Sequence, residues 1–433
     1  MIVCKFGGSS VATASQIKKV KAIIDANVER NVVVVSAPGK RFKDDTKVTD
    51  LLYQCNDAVR SGASCRPVFS KIEERYHDII AGLKIQGRWL QPILDDVRLH
   101  IDAGSGPNYA ASRGEYLNAR IIAKYFGFEF LDTESLVILK ADGSIDSRTY
   151  DNIRRAYKPG RKYVVPGFYG SNIEGKILTF ARGGSDITGS IFAQALNATV
   201  YENWTDVSGV YGANPAIVED VKPVAEMTYG EVRELSGVGA GVFQEEAIAP
   251  IYGTRIPINI KNTNRPEDAG TMIVPSREGD NLVGLSAKKG YNRITVRKLM
   301  LFKQRGIRHA LLTMMVVFGV RPAFSCYGID SIVWYFDASL ASDSVLKMMC
   351  QRLKSEFDLQ EAFVEKGFSI IGVVGQGLPN HPEIVSKCAT CLQENHIRTV
   401  FINYGASDLS MLVGVPEGTE VEAQKVLAKA LGF

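Results

Sequence analysis

The chain has 433 residues, 45% apolar and 23% charged, enough for two or three domains with sizeable cores. A formal net charge of +4 is small for this length and argues against a dedicated nucleic-acid binder, which concentrates positive charge in a patch. The longest apolar run, near Leu311–Val320, is half of the roughly 20 residues a membrane span needs, and no charged-then-apolar leader opens the sequence, so no membrane partner is expected.

In chain order, Met1–Phe6 is a short apolar run with strand character, broken by Gly7-Gly8, and Ser9-Ser10 offers helix caps. An amphipathic helix is predicted from about Ala14 to Val28. Val32–Val35 is a continuous β-branched run that suits a strand buried on both faces. Strand, glycine turn, helix and strand make a βαβ unit and imply a parallel sheet. Lys40-Arg41-Phe42-Lys43 is basic, but Asp44 and Asp45 follow directly, and the stretch reads as a solvated loop. Residues 50–125 are mostly helical in pattern. Strands are predicted at Tyr163–Val165, Ile177–Phe180, Thr199–Trp204 and Ile256–Ile260, with a helix at Ile187–Asn197. Asn264–Gly270 is a loop, and the first domain should end near Pro275.

The last third contains a repeat. Arg321, Phe324, Tyr327 and Gly328 recur as Arg398, Phe401, Tyr404 and Gly405, all displaced by 77 positions. Each copy follows an amphipathic helical stretch and precedes an apolar strand, Ile332–Phe336 or Met411–Val415. Two copies of a small helix-plus-strands module account for this most simply. Seven cysteines, an odd number without framework spacing, fit a reducing cytoplasm. Cys388 and Cys391 form a lone CxxC without a second pair or histidines at zinc spacing, and read as core residues on one face of a helix. No metal-ligating set is assigned.

Four constellations carry chemistry. Lys5-Phe6-Gly7-Gly8-Ser9-Ser10 lies at the carboxyl end of a strand and the start of a helix, where two glycines let backbone N–H groups approach an anion and Lys5 adds a cation. Arg182-Gly183-Gly184-Ser185-Asp186 repeats the pattern after Ile177–Phe180; the arginine suits a carboxylate, and Ser185 or Asp186 suits a helix cap. Thr205-Asp206-Val207-Ser208-Gly209-Val210-Tyr211 follows another strand and suits either a turn or a nucleotide. Ser112-Arg113-Gly114-Glu115 precedes a helical pattern; Glu115 could favour a helix N-terminus or hold a ligand ammonium. No GxxxxGK[ST] element is present, which excludes a P-loop kinase, and no Ser-His-Asp or Cys-His arrangement is suggested. Glycine turns rich in anion-binding capacity, without a nucleophile, suit phosphoryl transfer, where positioning and charge neutralisation supply most of the catalysis.

Together these residues resemble the aspartate kinases of the amino-acid kinase family, over essentially the whole chain. The match runs through KFGGSSV, Ser36, Thr49-Asp50-Leu51-Leu52, Gly114-Glu115, RGGSD with Thr188, WTDVSGVY and Asn264–Thr271. The C-terminal repeat resembles the paired ACT modules of those enzymes. The resemblance implies a three-layer αβα kinase domain with a mostly parallel central sheet at 1–278, then two ferredoxin-like ACT modules at 279–433. The first module, about 293–366, is expected to be inserted into the second, formed by 279–292 and 367–433. It implies ATP-dependent phosphorylation of the L-aspartate β-carboxylate, with ATP and Mg²⁺ as cofactors and feedback by an amino-acid effector at the ACT modules. A cytoplasmic homodimer or higher homo-oligomer is expected. By the same resemblance Lys5, Phe6, Gly7, Gly8, Ser9, Thr205, Asp206 and Tyr211 contact ATP; Thr49, Glu115, Arg182, Gly183, Gly184 and Ser185 bind aspartate; Lys5 and Asp186 are catalytic. A carboxylate acceptor is already ionised at neutral pH, so Asp186 reads as an organiser of Lys5 or Mg²⁺ rather than as a base.

The chain departs from the family pattern in places. Gly241 stands where members often carry a phosphate-binding lysine, with Lys261 or Arg255 as possible substitutes. Ala216 replaces a commonly basic residue, Gln244-Glu245 replaces a usual His-Pro, and Ala323 stands where a lysine-sensing relative is acidic. The alternative reading is a catalytically weakened, amino-acid-sensing paralogue. A kinase acting on glutamate or N-acetylglutamate is the other enzyme to weigh, and the ACT-like repeat argues against it.

Overall fold

A computed structural model describes residues 1–433 apart from Arg182, Val242 and Gln244, with the side chain of Glu245 also outside the description. The chain divides into two compact units, one of Met1–Val210, Pro223–Ser236 and Gly241–Glu278, the other of Tyr211–Lys222, Gly237–Ala240 and Gly279–Phe433.

In the first unit, β1 (Ile2–Phe6), α1 (Ala14–Asp25) and β2 (Arg30–Val35) form the expected βαβ start. Four helices follow: α2 (Val48–Arg60), α3 (Arg66–Gly82), α4 (Gln91–Asp102) and α5 (Pro107–Phe126). Then come β3 (Glu129–Phe130), α6 (Arg148–Ala156), β4 (Tyr163–Pro166), β5 (Tyr169–Ser171), β6 (Ile177–Thr179), α7 (Gly184–Ala195) and β7 (Val200–Thr205). The unit closes with β8 (Glu226–Thr228), α8 (Tyr229–Gly237), β9 (Ile258–Asn262) and β10 (Thr271–Val274). Among the described residues the central sheet has eight strands in the order β3-β4-β2-β1-β7-β9-β10-β8, parallel throughout except for the β9–β10 pair.

Strand alternation sorts the two faces of this sheet. Ile2, Cys4, Phe6, Val33, Val35, Val164 and Trp204 share a core with apolar residues of α1 to α5. The intervening residues of β1 and β7 face the opposite side, where α7 packs against β1, β2 and β7. Helix starts follow local chemistry. Thr13 caps α1 by accepting from the Gln16 N–H at 3.3 Å. Pro107 begins α5 behind Gly106, so Glu115 lies well inside the helix and the helix-start reading of it is excluded. Thr228 and Glu231 form a reciprocal capping box on α8: the Glu231 N–H donates to Thr228 Oγ1 at 3.1 Å and the Thr228 N–H to Glu231 Oε2 at 2.7 Å.

One strand departs from expectation. Ile177–Thr179 forms a separate antiparallel hairpin with β5 and does not join the parallel sheet. Asn172–Gly175 supplies a tight turn that folds the segment back on β5, with Asn172 Oδ1 accepting from Glu174 and Lys176 N–H groups.

The second unit holds β11 (Leu282–Arg297), α9 (Ile307–Val317), β12 (Pro322–Tyr327), β13 (Ser331–Asp337) and α10 (Asp343–Glu356). It continues with β14 (Glu361–Gly375), α11 (Glu383–Glu394), β15 (Phe401–Asn403), β16 (Ser410–Pro416) and α12 (Glu420–Leu431). The described strands form one antiparallel sheet, β12-β13-β11-β14-β16-β15. The sequence repeat is visible in it: α10 begins at Asp343 and α12 at Glu420, the 77-residue offset again. The two long strands are shared. Tyr291–Arg297 pairs with β13 and with the first half of β14, while Leu282–Lys288 pairs with Ile370–Gly375, which also pairs with β16. Accordingly, Ile294 and Val296 pack with Leu311, Trp334 and Leu353, whereas Leu285 packs with Cys388, Val413 and Leu427. Cys388 is buried and Cys391 half-buried on α11, in that second core.

One buried ion pair ties the first unit together. Arg30 donates to both oxygens of Glu202, at 2.8 and 3.0 Å, and the Trp204 indole and Cys4 thiol donate to the same carboxylate. Burial pushes the Cys4 thiol pKa well up, with the Glu202 charge as the next cause. Removing one member of such a pair leaves the other charge desolvated. Glu202→Ala should therefore lower stability by about 3–5 kcal/mol, read from the midpoint of urea unfolding; Arg30→Met combined with it should recover part of the loss.

Candidate active site

Lys5 is the last residue but one of β1, and its register partner on β7 is Asn203. Both side chains leave the sheet on the α7 face. Lys5 is 7% exposed, and its Nζ stands 2.5 Å from Asp186 Oδ1 in the first turn of α7. Asn203 Nδ2 donates to the same Asp186 oxygen at 2.9 Å, and Asn203 Oδ1 accepts from Lys5 Nζ at 3.5 Å. The ammonium is thus fixed by two neighbours that are themselves bonded to each other. Asn203 was not singled out by the sequence; the signal was the polar pair Glu202-Asn203 in the middle of the strand VYENWT.

The glycine turn follows at once. Gly7 N–H donates to the Trp204 carbonyl at 3.0 Å, and residues Gly8–Val11 form a short 3₁₀ turn. Gly8 and Gly39 pack backbone to backbone: a Cβ on Gly39 would lie 2.7 Å from the Gly8 carbonyl carbon, and the Gly39 N–H donates to the Gly8 oxygen at 2.9 Å. Arg75, 4% exposed, holds this loop from beneath, donating to the Gly39 carbonyl and, at 2.7 Å, to Asp45. Arg41 and Arg75 together hold the Asp45 carboxyl well below the usual carboxylate range. Sequence reasoning missed Gly39 and Arg75; the Ala-Pro-Gly after the second strand was the available signal.

Glu115 sits at the same edge. It is buried on α5, and its carboxylate accepts from the Ala37 backbone just past β2. Gly114 lets α5 approach: a Cβ there would lie 2.8 Å from the Ala37 Cβ. Glu115 Oε2 is buried and has no hydrogen-bond partner among the described residues. Burial raises its pKa to about 8, against smaller lowering contributions from backbone N–H groups and Arg113. A buried carboxyl with a vacant lone pair suits a ligand ammonium.

The second glycine pair is built differently from its sequence reading. Arg182 lies outside the described residues. Gly183 takes a left-handed conformation (φ 59°, ψ 20°) as the N-cap of α7, and neither Ser185 nor Asp186 makes a capping bond among the described residues. Asp186 is instead engaged by Lys5 and Asn203. Ser185 is buried against Gly167, which follows β4 and donates to the Val35 carbonyl at 3.0 Å. Thr188 accepts from the Phe168 N–H at 3.1 Å, seating α7 against the same segment. Thr49 is half-buried in the first turn of α2. Thr205 ends β7, and its hydroxyl donates to Asp206 at 3.2 Å. Tyr211 belongs to the other compact unit.

The structure therefore gathers Lys5, Phe6–Ser9, Glu115, Gly183–Asp186 and Thr205–Asp206 around the carboxyl ends of β1, β2, β4 and β7, the edge where open α/β sheets bind ligands. Fixed donors, one organised ammonium and one buried carboxyl oxygen without a partner, with no nucleophile among the described residues, fit a small-molecule phosphotransferase. The comparisons agree. The Amino acid kinase family model matches residues 1–262 and an ACT domain model matches 371–431. Aspartokinase 3 of Bacillus subtilis is 34% identical over 443 residues, covering 99% of this chain and 98% of that protein. The crystal structure of Clostridium acetobutylicum aspartate kinase is 37% identical and superposes with a TM-score of 0.93 over the whole of both chains. Escherichia coli aspartokinase III, solved in complex with aspartate and ADP, shares the fold at a TM-score of 0.82 and 20% identity over the same extent. The chain belongs to the amino acid kinase family, among its aspartokinases.

Two outcomes follow from this geometry. Gly39→Ala forces the Gly8 turn aside, and because misplacement by about 1 Å can cost about 10²-fold in rate, turnover should fall by that order while circular dichroism stays unchanged. For Glu115, the unfolded chain loses its proton in the ordinary glutamate range and the folded chain only near pH 8, so stability falls as pH rises between them. Glu115→Gln should flatten that decline in urea titrations from pH 5 to above pH 8.

Proposed function

We propose that the chain transfers the γ-phosphoryl group of ATP to the β-carboxylate of L-aspartate, giving 4-phospho-L-aspartate and ADP. The observation that carries this is the pairing, on one sheet edge, of a glycine turn with an organised ammonium and a buried glutamate whose second oxygen has no described partner. A β-carboxylate oxygen attacks the γ-phosphorus, the bond to the β,γ-bridging oxygen breaks, and ADP leaves with that electron pair. The acceptor is ionised at neutral pH, so no base is required. The obstacle is repulsion between two anions, and Lys5 with the backbone donors of Gly7–Ser9 counters it where charge develops. Asp186 and Asn203 fix the ammonium in place. Glu115 receives the aspartate ammonium and gives up its proton as it does so, while Thr49 and Arg182–Ser185 bind the remainder of the acceptor. Thr205, Asp206 and Tyr211 contact the nucleotide.

Among the described residues no three His, Cys, Asp or Glu side chains stand close enough to ligate an ion. Mg²⁺ is proposed to arrive with ATP, where it would offset charge on the phosphates. Residues 1–278 form the catalytic domain in this proposal and 279–433 the regulatory one. The regulatory modules take an amino-acid effector and assemble a homodimer or higher oligomer. No described helix is long and apolar enough to cross a membrane; a cytoplasmic enzyme is part of the same proposal.

A coupled assay of ADP formation tests the reading. L-Aspartate should support turnover while L-glutamate and N-acetylglutamate do not; absence of ADP with every acceptor would remove it in favour of a sensing role. Lys5→Ala should lower kcat by about 10²–10³-fold, the range for losing one preorganised charge-stabilising group, with far-UV circular dichroism unchanged although the melting temperature falls because Asp186 loses its buried partner. Near-normal turnover in that variant would take Lys5 out of the site.

A further inference from the structure

The polyphosphate of ATP brings several negative charges to the glycine turn, and the one cation described there, Lys5, is already matched by Asp186 at 2.5 Å. A further cation is needed. Gly241 cannot supply it, having no side chain and open space around its Cβ position. Lys261 is already engaged: it donates to the Asp268 carbonyl at 2.6 Å and lies over the Trp204 ring.

Lys19 is placed differently. It lies on α1, and long helical side chains lean toward the helix N-terminus, here toward the 3₁₀ turn Gly8–Val11. Its Nζ donates to Asn264 Oδ1 at 2.8 Å, and Gln16 Nε2 donates to the same oxygen at 3.1 Å. The neighbouring Thr263 is hydrogen-bonded to Ser10 at 2.7 Å, hydroxyl to hydroxyl, so Asn264 sits directly beside the glycine turn. Lys19 lines a cavity of about 600 Å³ with Arg30, Trp204, Thr263, Asn264 and Pro266. Arg30 is committed to Glu202. Among the described residues Lys19 has no carboxylate partner, only a neutral amide oxygen, which a phosphate oxygen would displace readily.

We propose that Lys19, aimed by Asn264, is a second cation for the phosphates of the nucleotide. The proposal rests on the reading of the chain as an ATP-dependent kinase. Lys19 is exposed, so its replacement leaves the core intact. Two measurements on the full chain test it: calorimetric titration with ADP, and steady-state kinetics with ATP and aspartate varied separately. Lys19→Met should weaken ADP binding and raise the ATP KM by about tenfold, with the aspartate KM moving by less than about twofold. Lys19→Arg should restore most of the affinity, and Asn264→Ala should give an intermediate loss. ADP affinity in Lys19→Met within about twofold of the parent overturns the proposal, as does a parent chain that fails to bind ADP. A parent that binds ADP yet forms none with aspartate sinks the kinase reading instead, and the titration still decides Lys19.

Discussion

A lysine withdrawn from water at the end of a parallel strand has to be neutralised and held, and the catalytic face of this molecule is arranged around that requirement. Lys5 reaches Asp186 only because α7 lies across β1 and β7. It meets Asn203 because the two strands run parallel in a register that sets residues 5 and 203 side by side. Fixing the ammonium between a carboxylate and an amide leaves it one orientation, so little reorganisation remains when charge develops nearby. The alternation that sends Lys5 to one face sends Cys4 and Phe6 to the other, where Glu202, Arg30 and Trp204 complete a separate buried cluster. The sheet carries chemistry on one side and its main internal ion pair on the other.

Close approach of backbones is the second constraint. Gly8 against Gly39, and Gly114 against Ala37, bring the ends of β1, β2 and the middle of α5 within contact distance. Larger residues at these places would hold the anion-binding turn and Glu115 apart. The clamp of Arg75 on the Gly39 loop shows the same priority, since a buried guanidinium is used to hold a loop that has no regular structure of its own.

Much of the fold was legible in the sequence, because period and punctuation were strong. The β-branched run at Val32–Val35, the glycine pair after Phe6 and the 77-residue repeat each carry a local signal that tertiary structure had no reason to override. Lys5, Glu115 and Asp186 were legible as chemistry. What each would touch was not. Asn203 matters only through pairing with a strand nearly 200 residues away, which no local pattern encodes. Asp186 in a first helical turn has the profile of a cap, and only the tertiary position of Lys5 draws it elsewhere. Ile177–Phe180 has strand character, but whether a short strand joins a sheet or folds back on its neighbour depends on what else competes for the edge.

In the second unit one module lies within the chain of the other, and that nesting governs how the unit must form. The second module draws one of its four strands, residues 282–288, from the segment that precedes the first module, whereas the first is continuous from 291 to 368. Residues 282–288 are made long before the partners they need at 370–375, and the first module is synthesised in between. The later module therefore cannot close until the earlier one has been made. A cut between the two copies leaves the first with all its strands and strips one from the second, so what the sequence displays as a duplication does not divide, for folding or for dissection, into two equal pieces.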